Sequence, residues 1–224
     1  MMQSMGMGMG MRMQMRPISI NEIFARAFAG LEGTADNLAQ MLNKFPQRSE
    51  NGDLKYLLAG GWAVELLTGS EREHEDIDVI CVDEEHLSIY NTSVGSSNAN
   101  DERASLYYAL HFGEIPTKSI KRNYIQEINW ERTNLPVVIP STEFLLLSKI
   151  IRSLREKDFY DVSMIFATQD IDQNKLVNII QGMGIDNSME HASQIYSLSA
   201  NLKNPATSSQ AFKELENYEG LIRF

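Results

Sequence analysis

The 224-residue sequence has one cysteine, more acidic than basic side chains and no long apolar run, and each shortage excludes a class of protein. Cys81 alone cannot form an internal disulfide, which excludes a disulfide-stabilised secreted scaffold and favours a reducing cytoplasm. No run reaches the roughly 18 apolar residues that a membrane span needs. The net charge of −10 would repel a phosphate backbone, so nucleic-acid binding would require a local basic patch.

The remaining composition is that of a folded chain. Hydrophobic residues make up 43% of the sequence, enough to offset the conformational entropy lost on folding. Residues 1–16 are different, because methionine alternates there with glycine, glutamine, serine and arginine. This low-complexity composition indicates a disordered leader, with a methionine-rich metal or partner site as the alternative.

The hydrophobic pattern predicts an α+β fold. We expect a small mixed sheet flanked by helices over residues 17–140 and a helical C-terminal domain over residues 141–224. Helical spacing occurs at about 20–31, 35–45, 62–68, 143–156 and beyond 158. Strand patterns occur at about 54–59, 76–82, 106–112, 120–130 and 137–139.

Two acidic residues in one predicted strand form the first candidate site. Asp76 and Asp78 are separated by one residue, so their side chains point to the same face of a strand, roughly 6.5 Å apart along it. Carboxylates at this spacing can converge on a pair of divalent ions, which can hold the attacking and leaving oxygens of a phosphoryl displacement. Hard oxygen ligands favour magnesium.

A glycine pair precedes these aspartates. Gly60 and Gly61 lie between a predicted strand and a helix that begins near Trp62. Because glycine has no Cβ, a triphosphate can approach the turn closely, and the helix N-terminus presents free N–H groups to it. Either motif alone is weak, but their order on these elements predicts a nucleotide site.

The sequence from Gly60 to Gly69, followed by Arg72 to Val79, closely resembles the signature of the nucleotidyltransferase superfamily, which is polymerase-beta-like. The resemblance is strongest to the lincosamide and aminoglycoside nucleotidyltransferases. A looser similarity, to a helix segment found in the toxin nucleotidyltransferases of abortive-infection systems, involves Pro140, Glu143, Leu147, Lys149, Arg155, Lys157, Asp158 and Asp161.

The resemblance implies roles for particular residues. Gly60 and Gly61 would bind the nucleotide phosphates, and Asp76 and Asp78 would bind magnesium, with two ions expected. The family also uses a third carboxylate on a later strand as a metal ligand or as the base that deprotonates the acceptor. Glu127 is our candidate, although the family usually has Asp there, and Glu114 or Glu131 are alternatives.

Four further positions carry less specific predictions. His74 has either a structural role, bonding the loop or the carboxylates, or a role as a metal ligand or phosphate contact. Arg72 is either a solvated charge or a phosphate contact. Lys149 is expected to neutralise the triphosphate, the alternative being an ion-paired solvated face. Glu65 departs from the Asp that antibiotic-modifying relatives more often have. The cationic cluster around Lys149 comprises Arg152, Arg155 and Lys157.

These observations predict a cytoplasmic, magnesium-dependent nucleotidyltransferase. It would move a nucleoside monophosphate from an NTP such as ATP to a hydroxyl of a small acceptor of the aminoglycoside or lincosamide kind, a reaction that confers antibiotic resistance. One alternative is a toxin-type enzyme that modifies tRNA or protein, for which Lys118, Lys121, Arg122 and the Lys149 helix would supply the basic surface. The other is a nucleotide-binding module without catalysis.

Overall fold

A computed structural model describes residues 20–82, 87–93, 95–97, 124–151, 154–182 and 184–221. The leader, the predicted strand at 106–112 and the first residues of the predicted strand at 120–130 lie outside these ranges. So do the candidates Glu114, Lys118, Lys121, Arg122 and Arg152.

Eight helices and six strands make up the described part of the chain. The helices are α1 (Ile20–Phe28), α2 (Ala35–Lys44), α3 (Gly60–Thr68), α4 (Thr142–Ile150), α5 (Glu156–Thr168), α6 (Gln173–Gly182), α7 (Ser188–Lys203) and α8 (Ser208–Glu216). The strands are β1 (Tyr56–Leu58), β2 (Asp78–Val82), β3 (Leu87–Asn91), β4 (Gly95–Ser97), β5 (Ile125–Ile128) and β6 (Val137–Pro140). The predicted α+β class, with helices concentrated in the C-terminal part, is confirmed.

The strands form two antiparallel sheets. One has the order β1-β2-β3-β4 and the other pairs β5 with β6. The buried side chain of Gln47 joins them, because its amide nitrogen donates to the carbonyl of Val138 at 2.7 Å and its oxygen accepts from the N–H of the same residue. A weaker bond of 3.4 Å reaches the carbonyl of Tyr56 on β1. The second sheet therefore lies on the β1 side of the first.

Alternation along β1 and β2 divides the buried residues between two faces. Leu58 pairs with Val79 on the face that packs against α1 and α2, and the aromatic ring of Phe24 contacts Tyr56 there. On the opposite face, Leu57 and Ile80 pack with Val138 in a smaller cluster. The position of Asp78, two residues before Ile80, places it at the edge of this smaller cluster.

One prediction for the helices is wrong in detail. The pattern at 143–156 predicts one helix, but α4 ends at Ile150 and α5 starts afresh at Glu156. Arg155 lies between them with an extended backbone and bonds the carboxylate of Asp158 in the first turn of α5. A charged contact that periodicity does not report thus sets where α5 begins.

The C-terminal helices pack onto the sheet domain through α5, which contacts both α3 and α4. Buried residues of the C-terminal helices, such as Leu145 and Ile165, belong to the same core cluster as Val79 of the sheet domain. The domain boundary near residue 140 stays a prediction. Within the described ranges no helix has the length and apolar character to cross a bilayer.

Candidate active site

The glycine corner is the first part of the candidate site. Helix α3 begins at Gly60, whose φ of +64° lies in the left-handed region that glycine adopts without strain. A Cβ at Gly60 would come within 2.2 Å of Asp78 Oδ2. The first turn of α3 itself contains no acidic side chain, so the carboxylate of Asp78 is the negative charge next to this helix N-terminus. The corner therefore brings a carboxylate oxygen against a helix N-terminus.

The two aspartates converge as predicted from their spacing, although Asp76 precedes β2 and only Asp78 is in the strand. The side-chain nitrogen of Asn91 donates to Asp76 Oδ2 at 2.8 Å and to Asp78 Oδ1 at 2.6 Å. Two carboxylates that both contact one nitrogen are close enough to bind the same cation. This convergence is the geometric requirement for a divalent-metal site.

Burial is the largest influence on Asp78 and raises its pKa above the usual value of 3.8. The hydrogen bond from Asn91 lowers the pKa, the charge of Asp76 raises it, and the charges of Lys149 and Lys157 lower it. These electrostatic effects indicate that both lysines act on Asp78 across the space between β2 and the helices α4 and α5.

Gly61 accommodates two side chains of the loop that leads to β2. A Cβ at Gly61 would lie 1.8 Å from Arg72 Nη2 and 2.8 Å from His74 Nδ1. The imidazole of His74 stacks on Trp62, with ring centroids 4.2 Å apart. Its Nε2 lies 2.7 Å from Glu65 Oε2. The structure thus connects the corner to the loop and gives Glu65 a partner that the sequence did not reveal.

Burial lowers the pKa of His74, and although Glu65 opposes this effect, the net shift is downward. The ring is therefore neutral at pH 7. Because a carboxylate can only accept a hydrogen bond, the proton is on Nε2 and the lone pair is on Nδ1, the atom nearest Gly61. Such a ring holds the loop in place, which is the structural alternative predicted for His74.

A chain of buried charges links the loop to the helices. Arg72 Nε donates to Asp161 Oδ1 at 3.1 Å, and Lys149 Nζ lies 2.8 Å from Asp161 Oδ2 and 3.7 Å from Asp158 Oδ1. Burial alone would raise the pKa of Asp158, but the bond from Arg155 and the charge of Lys149 hold it below its usual value. Lys149 is therefore ion-paired, and Asp161 is fully buried.

Glu127 is not brought to the aspartate pair. It lies on β5 of the two-stranded sheet, whereas Asp78 lies on β2 of the four-stranded sheet, and it forms an ion pair with Arg48 at 2.8 Å. Nearly half of its side chain is exposed. Glu131 lies just beyond β5 and is also exposed. The role of Glu127 as the third carboxylate stays a prediction without a supporting contact.

The donor set suits magnesium bound together with a nucleotide. Within the described ranges, no group of three or more His, Cys, Asp or Glu side chains is arranged to hold a metal. Magnesium is commonly bound through one or two carboxylates, with phosphates and water completing its shell. Asp76 and Asp78 fit that pattern, and nucleotide phosphates at Gly60 would supply further oxygens.

A cavity of about 340 Å³ borders the site and is lined by Glu71, Arg72, Glu156, Lys157 and Tyr160. A larger cavity of about 750 Å³, between α7 and α8, contains none of the predicted site residues. The smaller cavity is the relevant one, because it shares Arg72 and Lys157 with the charged groups near Asp78.

Sequence reasoning missed Asn91, which occupies the space between the two aspartates. Asn91 immediately precedes a polar segment rich in asparagine and serine. Its register opposite Asp78 depends on the pairing of β2 with β3. No local pattern could have identified it.

Comparison with known proteins agrees with this geometry at the level of a family. A family model described as "nucleotidyltransferase of unknown function (DUF6036)" matches residues 36–204, about three quarters of the chain. No curated protein and no solved structure gives a significant match. The matched region contains the glycine corner, both aspartates and the charged network of α4 and α5. The chain therefore belongs to the DUF6036 family of the nucleotidyltransferase superfamily.

Proposed function

We propose that the protein is a magnesium-dependent nucleotidyltransferase that transfers a nucleoside monophosphate from an NTP to a hydroxyl group. The acceptor oxygen forms a bond to the α-phosphorus while the bond from that phosphorus to the bridging oxygen breaks. Pyrophosphate leaves, and the hydroxyl proton passes to a base or to water. The observation that carries the proposal is the convergence of Asp76 and Asp78 beside Gly60.

The surrounding residues support charge neutralisation, which is the main demand of phosphoryl transfer. Lys149 and Lys157 act electrostatically on Asp78, and Arg72 lies against Gly61. A bound triphosphate would meet these cations and the N–H groups of α3 together. Magnesium would stabilise the charge that develops on the phosphoryl oxygens. The protein would supply position and charge rather than a covalent intermediate.

Pyrophosphate release is the direct test. Purified protein with Mg²⁺, ATP or GTP and a suitable acceptor is expected to release pyrophosphate. Asp76→Asn and Asp78→Asn should each reduce the rate by about a thousandfold or more, since each removes a charge worth several kcal/mol to the transition state. Asp36→Asn, which changes a carboxylate that is 89% exposed and paired with Arg132, is the matched control. Undiminished release by both active-site variants would contradict the mechanism.

We propose a small hydroxylated, cationic acceptor of the aminoglycoside or lincosamide kind. The acidic surface, with a net charge of −10, would attract a polycation. The cavity at Arg72 also carries the carboxylates Glu71 and Glu156, which could bind ammonium groups. Incubation of candidate acceptors with ATP, followed by mass spectrometry, should detect one added nucleotide. Expression should raise drug tolerance, and Asp78→Ala should abolish that effect.

A second candidate is a toxin-type enzyme that modifies tRNA or protein. The observation that favours it is a network of ion pairs among Lys149, Arg155, Asp158 and Asp161. These four residues belong to the helix segment that resembles that of the toxins. Expression of such an enzyme would inhibit growth, and Asp78→Ala would relieve the inhibition. Transfer of label from α-labelled NTP to purified tRNA or protein would identify the target.

A third candidate is a nucleotide-binding module without catalysis. The observation that favours it is the separation of Glu127 from the aspartate pair, since among the described residues no third carboxylate joins Asp76 and Asp78. This candidate requires binding of Mg²⁺ and ATP in calorimetry but no nucleotide transfer to any acceptor class. Detection of a labelled product would eliminate it.

A further inference from the structure

Asn91 stands directly opposite Asp78 in the antiparallel ladder of β2 and β3. Residues paired in this way place their side chains on the same face of the sheet. Asp78 therefore has a polar neighbour that is fixed by backbone pairing rather than by a loop conformation. The amide of Asn91 is held at one point relative to the strand that carries the aspartate.

The bonds of Asn91 divide the oxygens of Asp78 between two directions. Asn91 Nδ2 donates a hydrogen bond to Asp78 Oδ1 at 2.6 Å, whereas Asp78 Oδ2 is the oxygen nearest the glycine corner. The same nitrogen donates a hydrogen bond to Asp76 Oδ2 at 2.8 Å. One oxygen of each carboxylate is thus engaged, and the other oxygen of Asp78 faces the place where the nucleotide would bind.

The orientation of the Asn91 amide is itself determined. Its Oδ1 accepts hydrogen bonds from the backbone N–H of Ser93 at 2.9 Å and from Ser93 Oγ at 2.6 Å. A backbone N–H can only donate, so the oxygen end of the amide must face Ser93. The nitrogen end therefore faces the carboxylates, where a reversed amide would present an oxygen to two anions.

We propose that Asn91 is the positioning residue of the metal site, holding Asp76 and Asp78 so that an oxygen of Asp78 is directed at the Gly60 corner. This inference rests on the proposed function and adds a residue to it. Without the amide, two adjacent carboxylates would repel each other and rotate apart. Hydrogen-bonding partners of metal ligands typically account for 10- to 100-fold in metal affinity.

The test measures metal binding rather than turnover. Mn²⁺, which has an electron paramagnetic resonance signal, is titrated into the full chain with a non-hydrolysable ATP analogue. Asn91→Ala is expected to weaken Mn²⁺ binding by about 10- to 100-fold. Asn43→Ala is the matched control, because Asn43 also bridges two backbone groups, at Arg132 and Asn134, away from the site. The control should bind Mn²⁺ like the unmodified protein.

Ser93→Ala gives a second, milder variant. It removes the hydroxyl bond to Asn91 Oδ1, together with a weak 3.5 Å contact of the same hydroxyl with Asp76 Oδ2, but keeps the backbone bond, so Mn²⁺ affinity should fall by about threefold, as expected for one hydrogen bond. This variant carries the test if Asn91→Ala does not fold, as judged by circular dichroism without metal. Unchanged Mn²⁺ affinity in the folded Asn91→Ala protein, or in Ser93→Ala when it alone folds, would overturn the role of Asn91.

Failure of the proposed function looks different. If the unmodified protein did not bind Mn²⁺, or if Asp78→Asn bound it equally well, the metal site itself would be wrong and the role of Asn91 would fall with it. If Asp78→Asn lost Mn²⁺ binding while Asn91→Ala retained it, only the inference about Asn91 would be contradicted.

Discussion

Gly61 lies directly against the guanidinium group of Arg72, so that a Cβ at this position would come within 1.8 Å of Nη2. Arg72 is at the same time paired with the buried carboxylate of Asp161. The second glycine of the motif therefore makes room for a side chain of the protein itself. It connects the turn before α3 to the charged network on α4 and α5.

This contact predicts that Gly61→Ala destabilises the fold by about 1–3 kcal/mol, the usual cost of inserting a methyl group into a filled space. The cost should be smaller in an Arg72→Ala background, because the group that meets the new Cβ is then absent. Urea unfolding of the two single variants and the double variant measures the coupling. Gly182→Ala is the control, since no heavy atom lies within 4 Å of its added Cβ. Equal costs in both backgrounds would contradict the contact.

Asp161 predicts a larger loss of stability. It is fully buried and is the shared partner of Arg72 and Lys149, so Asp161→Asn would leave two largely buried cations without their anion. Breaking a buried ion pair by removing one member typically costs 3–5 kcal/mol. We expect a loss of about 3 kcal/mol in urea unfolding, because Asp158 still lies near Lys149. Asp36→Asn, which breaks an exposed pair, should cost under about 0.5 kcal/mol. Similar losses in both variants would refute the assignment.

We expect the charge of Asp78 to lower the stability of the metal-free fold while being required for metal binding. Its pKa is raised in the folded state, chiefly by burial, so the folded protein holds the proton more tightly than the unfolded chain does. Ionisation of Asp78 therefore lowers stability at neutral pH, and that penalty is relieved as the pH falls through the folded pKa towards 3.8. In EDTA at pH 7, Asp78→Asn should raise the thermal midpoint.

The pH dependence of that gain provides the check. The difference in thermal midpoint between Asp78→Asn and the unmodified protein should be largest at pH 7 and should shrink towards pH 4. Taking this difference removes the contributions of other titrating groups. Differential scanning fluorimetry in EDTA measures it. With Mn²⁺ and nucleotide the order should reverse, because only the unmodified protein gains stability from the metal. A gain that is constant with pH would count against the raised pKa.

The ion pair of Glu127 with Arg48 leads to the fourth prediction. Because both side chains are largely exposed, Glu127→Gln should change the free energy of unfolding by less than about 1 kcal/mol. Mn²⁺ affinity should be unchanged, since Glu127 lies in a different sheet from Asp78 and is paired with Arg48. A fall in turnover of more than about a hundredfold, with Mn²⁺ binding intact, would instead identify Glu127 as the base that deprotonates the acceptor.

The short-range parts of the site could be predicted from the sequence. A glycine pair between a strand and a helix, and two aspartates separated by one residue, are arranged by turn geometry and strand periodicity, which act over a few residues. The superfamily, which the resemblance of this segment indicated, and the α+β class, which the hydrophobic pattern predicted, are both confirmed. Asp78 lies in β2 and Asp76 just before it, so their convergence involves only a three-residue stretch of chain and the contact with Asn91.

The tertiary structure decided which partners these residues have. Asn91 reaches the aspartates because β3 pairs with β2 in one register, and Asp161 reaches Arg72, 89 residues away, because α5 packs on α3. Glu127 was predicted as the third carboxylate from its type and order alone, but it lies in a different sheet from Asp78 and is paired with Arg48. Local periodicity fixes the face on which a side chain lies, whereas strand order and helix packing, which depend on burying the whole apolar surface, fix what that side chain meets.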